Sequence, residues 1–292
     1  MGGGTWTKDA YRSYVTTAYN VSTSDLSLDG SISSTCNLSN QDIFKSKRMV
    51  EALNPKNVMR ECLDSEEHPN TIPVILALDV TGSMGQAAVE TAKKLNTIMT
   101  SIYSKVPDVE FMIMGIGDLA YDNSPIQASQ FESDIRIAEQ LDKVYFEFGG
   151  GGNNFESYTA AWYFGLYHTK LDCYDKRGKK GIIITMGDER MNPYLPHDAI
   201  NRCLGDATQA DIETKDLYRE TSKKFDIYHI DVKHGHRWDD GIVDSWNILG
   251  DNFKCANMND VSDVITSIIM GNTRTESCNT KTTTNENGEI VW

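Results

Sequence analysis

TIPVILALDVTGSMG, residues 71–85, joins a continuous apolar run to a short polar segment. The run from Val74 to Leu78 has the length and unbroken apolarity of a strand that is buried on both faces, which is typical of the centre of a parallel sheet. Asp79 follows at its carboxyl end, where open α/β sheets bind their ligands. The alternating side chains of Asp79, Thr81 and Ser83 are therefore candidate ligands for a bound group.

Strands and helices alternate along the rest of the chain. The apolar patterns predict buried strands over 109–118, 143–148, 180–186 and 226–232, an edge hairpin partner over 124–131, and helices over 87–103, 156–169, 210–225 and 260–271. Such alternation indicates a mainly parallel sheet with helices on both faces. The predicted fold class is α/β, a doubly wound and Rossmann-like fold with one antiparallel edge strand.

Composition changes at both ends of this α/β region. Residues 1 to about 40 are rich in Ser, Thr, Asn and Gly without a sustained period, which predicts a loosely ordered arm. One or two short helices are expected between this segment and the first strand, and the end of the chain is polar. We therefore predict a polar N-terminal arm with short helices (1–70), an α/β domain (71–271) and a polar C-terminal tail (272–292).

Charge and cysteine content limit the kinds of partner. The formal net charge of −14 argues against nucleic acid, because phosphate recognition needs a basic surface. Six scattered cysteines without a C-x-x-C pair are typical of reduced thiols in a cytosol. The first residues lack the apolar core of a signal peptide, and no apolar run reaches membrane-spanning length. These features predict a cytoplasmic protein whose partner is neither nucleic acid nor membrane.

Polar side chains also follow two other predicted strands. GGGGNNFES (149–157) brings Asn153 and Glu156, and GDERMNP (187–193) brings Asp188 and Glu189. Because the carboxyl ends of parallel strands share one edge of a sheet, the three loops are expected to face one crevice. Carboxylate, hydroxyl and amide oxygens suit a hard cation such as Mg²⁺. The alternative is that Thr81 or Ser83 only caps the helix that follows.

The motif DVTGSM (79–84) resembles the D-x-[ST]-x-S signature of the metal-ion-dependent adhesion site (MIDAS) in von Willebrand factor A (VWA) domains. The resemblance covers roughly residues 71–271. The segment GIGDLAYDNSPIQASQFESDIRIAEQLDKV (115–144) is similar to the VWA branch found in alpha-kinase-associated proteins. In that branch the glycine loop typically reads GGGD-x-P-E-D, against GGGGNNFES here. The resemblance implies a VWA fold of an intracellular bacterial or phage type.

The resemblance also implies a set of ligands for Mg²⁺ or Mn²⁺. Asn153 stands where the family has Thr or Asp, and its amide oxygen carries no charge. At the third loop the alignment also admits Glu189 instead of Asp188. Glu156 matches an acidic position of the closer branch, either as a ligand or as an acceptor for one. The implied metal ligands are Asp79, Thr81, Ser83, Asn153 and Asp188.

Two functions are compatible with such a site. The family implies a non-enzymatic binding module, in which the cation accepts an Asp or Glu from a protein partner, such as an AAA+ ATPase or a component of an assembly. The alternative is a Mg²⁺-dependent phosphoester hydrolase that uses the same acidic cluster. A hydrolase with an Asp nucleophile would carry a second Asp two positions after Asp79, where Thr81 stands. We therefore expect a binding module and no enzymatic activity.

A second group of metal-binding residue types follows the last predicted strand. YHIDVKHGHRWDD (228–240) contains three histidines and two terminal aspartates, which suggests a transition-metal site. The spacing matches no standard zinc pattern, so a solvated loop is the favoured interpretation. The aromatic residues between 158 and 167 are interpreted as the core face of a helix.

Overall fold

A six-stranded sheet lies at the centre of the protein, whose computed structural model describes residues 4–147, 155–233 and 240–278, without the side chains of 240 and 273–278. The strands are β1 (Arg60–Cys62), β2 (Ile72–Asp79), β3 (Val109–Ile116), β4 (Ile126–Glu132), β5 (Phe155–Glu156), β6 (Thr169–Leu171), β7 (Gly181–Gly187), β8 (Arg190–Met191), β9 (Tyr194–Leu195), β10 (Ile212–Glu213), β11 (Phe225–Lys233) and β12 (Phe253–Asn257). The α-helices are α1 (Lys8–Ala18), α2 (Asn40–Ile43), α3 (Gly85–Lys93), α4 (Leu95–Tyr103), α5 (Arg136–Asp142), α6 (Thr159–Tyr167), α7 (Asp172–Arg177), α8 (His197–Leu204), α9 (Thr214–Lys224), α10 (Asp240–Ser245) and α11 (Val261–Cys278). Short 3₁₀ helices lie at Thr23–Asp25, Glu51–Leu53 and Asn247–Asn252.

The order of strands in the central sheet is β12-β11-β7-β2-β3-β4. Neighbouring strands are parallel, except that the edge strand β4 runs antiparallel to β3. The chain winds outward from β2 to β4 and then returns to place β7 on the other side of β2. The predicted doubly wound α/β fold with one antiparallel edge strand is confirmed. The point where the strand order reverses, between β2 and β7, is where such sheets bind ligands.

Alternate residues of β2 enter two separate hydrophobic cores. Val74, Leu76 and Leu78 pack on one face, with helices α1, α3, α4, α5 and α11. Ile75 and Ala77 pack on the other face, with helices α6, α8 and α9. This burial on both sides explains why the strand is a continuous apolar run, because neither of its faces meets water.

The N-terminal segment is docked on the first of these cores. Tyr11 and Val15 of α1 are buried against the helices that cover the sheet, and Trp6 donates its indole N–H to Asn96 Oδ1 at 2.9 Å. Main-chain contacts add to this, since Trp6 N–H donates to Ser133 O at 2.9 Å. The expectation of a loosely ordered arm is wrong for the described residues, because its scattered aromatic side chains bury more apolar surface than its composition indicated.

The docked arm also interrupts a helix. The pattern over 87–103 predicts one continuous helix, whereas the structure has α3 and α4 meeting at Lys94. At this point Ile32 N–H donates to Lys93 O at 3.2 Å, and Thr97 N–H donates to Ser31 Oγ at 3.1 Å. The arm thus supplies partners for groups that would bond each other in an unbroken helix.

The segment 143–148 was predicted as a strand, but its described residues 143–147 lie outside any strand. Tyr145 is held beside the edge strand β4 by one buried side chain. Gln127 accepts from Tyr145 N–H at 2.9 Å and donates to Tyr145 O at 2.8 Å. A side-chain amide therefore occupies the place of a neighbouring strand's backbone.

Other elements differ in smaller ways from those predicted. The edge strand β12 was not predicted, and α11 continues to Cys278, beyond the predicted end at 271. The cysteines whose side chains are described, at 36, 62, 173, 203 and 255, form no disulfide. Among the described helices, none combines the length and the apolarity needed to cross a bilayer.

Substitution of Tyr11 tests whether the arm contributes to folding. Tyr11→Ala should lower the free energy of unfolding by about 3–5 kcal/mol, because it leaves a cavity under α1. Tyr11→Phe removes only the hydroxyl that donates to Ala92 O at 3.1 Å and should cost about 0.5–1.5 kcal/mol. The exposed Arg12→Ala on the same helix is the control. Urea unfolding measures all three, and a Tyr11→Ala variant as stable as the wild type would mean that the arm does not dock.

Candidate metal centre

Four of the predicted ligands form one chain of polar contacts at the carboxyl edge of the sheet. Asp79 Oδ1 accepts from Thr81 N–H at 2.8 Å and from the Thr81 hydroxyl at 2.5 Å. The Thr81 and Ser83 hydroxyl oxygens lie 3.4 Å apart, and the Ser83 hydroxyl donates to Asp188 Oδ1 at 3.2 Å. A hydroxyl oxygen that donates to a carboxylate still has lone pairs for a cation.

The sheet register brings these residues together. Leu78 of β2 is paired with Met186 of β7, so Asp79 and Gly187 end adjacent parallel strands at the same level. Asp188 then follows Gly187 directly. Asp79 is 1% exposed, whereas Ser83 is exposed and Asp188 is half-buried, so the contact chain leads from the interior to the surface.

The Thr81 and Ser83 hydroxyls do not cap helix α3, which was the alternative interpretation. The residue at the N-cap of α3 is Met84, which makes no side-chain capping bond. The Thr81 and Ser83 hydroxyls donate to carboxylates instead, which keeps them beside Asp79 and Asp188.

Tyr158, immediately before α6, holds the other oxygen of Asp79. Its hydroxyl donates to Asp79 Oδ2 at 2.7 Å and accepts from Glu189 N–H at 3.2 Å. Its ring is fully buried and packs against both His229 and Trp246, with centroid distances of 5.0 and 5.5 Å. Tyr158 thus joins the first and third loops of the site, a role beyond the core position predicted for it.

Burial and mutual repulsion shift the ionisation of the acids here. Burial, with the charge of Asp188, raises the pKa of Asp79 to about 7. Burial, followed by the charges of Asp79, Asp118, Asp122 and Glu189, raises the pKa of Glu156 to about 10. A bound cation would relieve both effects, because an opposite charge favours the ionised carboxylate.

Glu156 gives a second indication that a positive group belongs here. The residue is 6% exposed, and its Oε2 is a buried acceptor that finds no hydrogen-bond partner among the residues that the structure describes. Buried carboxylate oxygens without partners are costly, so each one needs a structural or functional reason. Glu156 is in the short strand β5, paired in parallel with β8 just beyond Glu189.

The predicted second-loop ligand, Asn153, lies outside the described residues. The chain that leads toward it is fixed as far as residue 147. Glu147 accepts from Ser124 N–H at 2.6 Å and from Asn123 N–H at 3.1 Å, while Gln127 holds Tyr145 as described above. These contacts anchor the approach to the glycine loop on the start of β4 and on the residues just before it.

The donor set is poor in charge. Within the described ranges, no three His, Cys, Asp or Glu side chains stand together as a metal site. The predicted set contains only two carboxylates, Asp79 and Asp188, and relies on the hydroxyls of Thr81 and Ser83 and the amide of Asn153 for the rest. Such a set suits Mg²⁺ or Mn²⁺, which bind one or two carboxylates and keep several waters, and does not suit zinc. The described residues therefore fit a hard cation.

The histidine-rich segment does not offer its first histidine as a ligand. His229 is fully buried, its Nδ1 lies 2.8 Å from Thr185 Oγ1, and its ring stacks on Trp246 at 3.6 Å. Burial lowers the pKa of His229 well below its usual value, so the ring is neutral. His234, His236 and Asp239 lie outside the described residues, as does the side chain of Asp240.

Comparison with known proteins gives similarities of fold only. No family model and no curated protein matches the chain. Among solved structures, the pilus adhesin SpaC from Lactobacillus rhamnosus GG in its open conformation is 13% identical, with a TM-score of 0.46, over 75% of this chain and 31% of that one. The chain thus spans about a third of the adhesin's length.

Two further solved structures are similar at the same level. The vWF domain of the type V pili tip protein Mfa5 from Porphyromonas gingivalis is 11% identical, with a TM-score of 0.45, over 73% of this chain and 98% of that one. Proximal thread matrix protein 1 from the mussel byssus is 9% identical, with a TM-score of 0.45, over 68% of this chain and 47% of that one. Nothing about ligands or partners follows from likeness at this level.

Proposed function

We propose that this protein is a metal-dependent protein-binding module. In this proposal Mg²⁺ or Mn²⁺ is held by Asp79, Thr81, Ser83, Asn153 and Asp188, and it accepts an acidic residue from a partner protein. The bound ion would supply a positive, electrophilic centre on an acidic surface. The partner is a protein that presents an Asp or Glu, such as an AAA+ ATPase or an assembly component.

One observation carries the proposal: the contact chain from Asp79 through Thr81 and Ser83 to Asp188 at the switch point of the sheet. Its described members come from two loops that are more than a hundred residues apart in sequence, and they meet as the motif predicts. The series of contacts ends at the exposed Ser83 hydroxyl and the half-buried Asp188 carboxylate. A carboxylate from another protein therefore has access to an ion bound there.

The proposal gives the protein's residues distinct tasks. Asp79 and Asp188 provide the negative charge, while Thr81 and Ser83 provide neutral oxygens that leave the ion able to accept another anion. Tyr158 fixes the orientation of the Asp79 carboxylate through its hydroxyl. Glu156, buried beside them, either contacts the ion or accepts a hydrogen bond from a group that does.

Hydrolysis of a phosphoester is the alternative function. A hydrolase needs a nucleophile or a general base beside the ion, and a cationic side chain for the phosphate. Thr81 stands where an Asp-nucleophile enzyme has its second Asp, and its hydroxyl is donated to Asp79. The binding module is therefore the better-supported function.

Calorimetric titration of the EDTA-treated full chain with MgCl₂ and MnCl₂ tests the site. The wild type should bind one of these ions, and both Asp188→Ala and Ser83→Ala should weaken binding, the former by roughly tenfold or more because a charge is lost. Asp216→Ala, at an exposed position of α9, is the charge-matched control and should bind like the wild type. Unchanged affinity in both site variants would place the ion elsewhere and overturn the proposal.

Turnover of p-nitrophenyl phosphate separates the two functions. With Mg²⁺ or Mn²⁺ present, the wild type should hydrolyse this substrate no faster than Asp79→Ala. Metal-dependent turnover that disappears in Asp79→Ala would establish the hydrolase instead.

A further inference from the structure

A cavity of about 200 Å³ opens beside the candidate metal centre. It is lined by residues 118–120 after β3, by 155 and 157 around β5, and by 192–194 and 196 after β8. Residues 118–120 follow β3, whose end is paired with Asp79 in the central sheet, while β5 and β8 form a separate two-stranded sheet. We call this cavity the apolar pocket.

Residues that line the apolar pocket alternate with residues of the metal centre along segment 155–158. Ser157 lines the pocket, and the next residue, Tyr158, donates its hydroxyl to Asp79. Phe155 lines the pocket too, and it is followed by Glu156, whose pKa responds to the charges of Asp79 and Asp118. Segment 155–158 therefore contributes to both the pocket and the metal centre.

The polar side chains that line the pocket are engaged within the protein. The Asn192 amide N–H₂ donates to Thr159 Oγ1 at 2.6 Å and to Tyr194 O at 3.0 Å. Ser157 Oγ accepts from Leu119 N–H at 3.0 Å, and Asp118 Oδ1 accepts a backbone N–H at 2.8 Å. A polar guest would have to compete with these bonds, whereas an apolar guest would leave them in place.

Aromatic and proline residues form the accessible part of the wall. Phe155 is 36% exposed and Tyr194 is 44% exposed, and both lie with Pro193 and Pro196 around the opening. Exposed aromatic side chains around a concave site are the usual anchors of protein interfaces, because burying them removes a large apolar area from water.

We propose that the apolar pocket receives a hydrophobic side chain from the same partner segment whose Asp or Glu binds the ion. This inference rests on the proposed function. It limits the partner to a linear segment in which an acidic residue lies near an apolar residue as large as Leu, Ile or Phe. Charge makes the two contacts depend on each other. Without the cation, the carboxylates of Asp118 and Asp122 repel the partner's acid; with it, the acid is attracted and the apolar neighbour is placed at the pocket.

A displayed library of random linear peptides, selected on the full chain in MgCl₂, tests the inference. Selected peptides should combine an acidic residue with a large apolar residue a few positions away. Ala120→Trp fills the opening of the pocket from an exposed position and should weaken binding of a selected peptide by about tenfold or more. Ala52→Trp, at an exposed position that does not line the pocket, is the matched control and should bind like the wild type.

Metal titration of the same variants separates the two proposals. Ala120→Trp should bind Mg²⁺ as the wild type does and unfold at the same temperature. If it also binds the peptide as tightly as the wild type, the pocket inference is wrong while a metal-dependent interaction stands. Selected peptides with an acidic residue but no apolar neighbour, or a library without any Mg²⁺-dependent binder, would likewise overturn it. A wild type that binds no divalent ion removes the proposed function and the inference together.

Discussion

Asp79→Asn is expected to be more stable than the wild type in EDTA and to gain nothing from Mg²⁺. In the wild type the Asp79 carboxylate is 1% exposed and faces the charge of Asp188, so its ionised form is costly without a cation. Asparagine has the same shape. Its Oδ1 can accept from Thr81 as before, and its amide can donate to the Tyr158 hydroxyl oxygen, at the cost of the acceptor that the Tyr158 O–H has in the wild type.

The advantage of the variant in EDTA and the advantage that Mg²⁺ gives the wild type should be similar in size. Removal of the buried charge should raise the free energy of unfolding in EDTA by roughly 1–3 kcal/mol. In contrast, Mg²⁺ at about a hundred times its dissociation constant should stabilise the wild type by about 2.7 kcal/mol and leave the variant unchanged.

Urea unfolding with EDTA and with MgCl₂ measures both effects. Asp216→Asn, an exposed change of the same charge, should behave like the wild type in each condition. An Asp79→Asn variant that is less stable in EDTA and is still stabilised by Mg²⁺ would contradict both the cost of the buried charge and the place of the ion.

The elements that the sequence predicts well are those whose pattern has a local cause. Strands β2, β3 and β7 are buried on both faces, so burial alone marks them as largely apolar runs. Their order in a doubly wound sheet then places Asp79 and Asp188 at neighbouring strand ends. The two-loop core of the candidate site could therefore be predicted without a structure.

The features that were missed depend on distant contacts. The break at Lys94 exists because Ser31 and Ile32 of the arm bond to the helix, and no local residue signals it. Residues 143–147 have the apolar pattern of a strand, yet the Gln127 side chain takes the place of a pairing strand.

Tyr158 illustrates the same limit within the site. Its aromatic ring fits the predicted core of a helix, and that position is correct. Which way its hydroxyl points is decided by Asp79 on another strand, 79 residues earlier in the chain. A buried tyrosine needs a hydrogen-bond partner, but the sequence does not say which one.

Gly187 is the residue whose substitution should damage both fold and site most directly. A Cβ at this position would lie 2.0 Å from the Tyr158 hydroxyl oxygen and 2.4 Å from two carbons of its ring. Tyr158 is fully buried and packed against His229 and Trp246, so the ring has little room to withdraw. Gly187→Ala should therefore lower the free energy of unfolding by about 3 kcal/mol or more.

The same substitution should also weaken Mg²⁺ binding, because a displaced Tyr158 releases Asp79 and loses its bond to Glu189 N–H. Gly271→Ala is the matched control: an added Cβ there meets nothing within 4 Å, and the helical position should gain about 0.5–1 kcal/mol. Tyr158→Phe in the Gly187→Ala background should recover little, because the ring carbons still clash. Urea unfolding and metal titration measure these effects. A Gly187→Ala variant with wild-type stability and affinity would show that the approach of Tyr158 to β7 is not what aligns the carboxylate of Asp79.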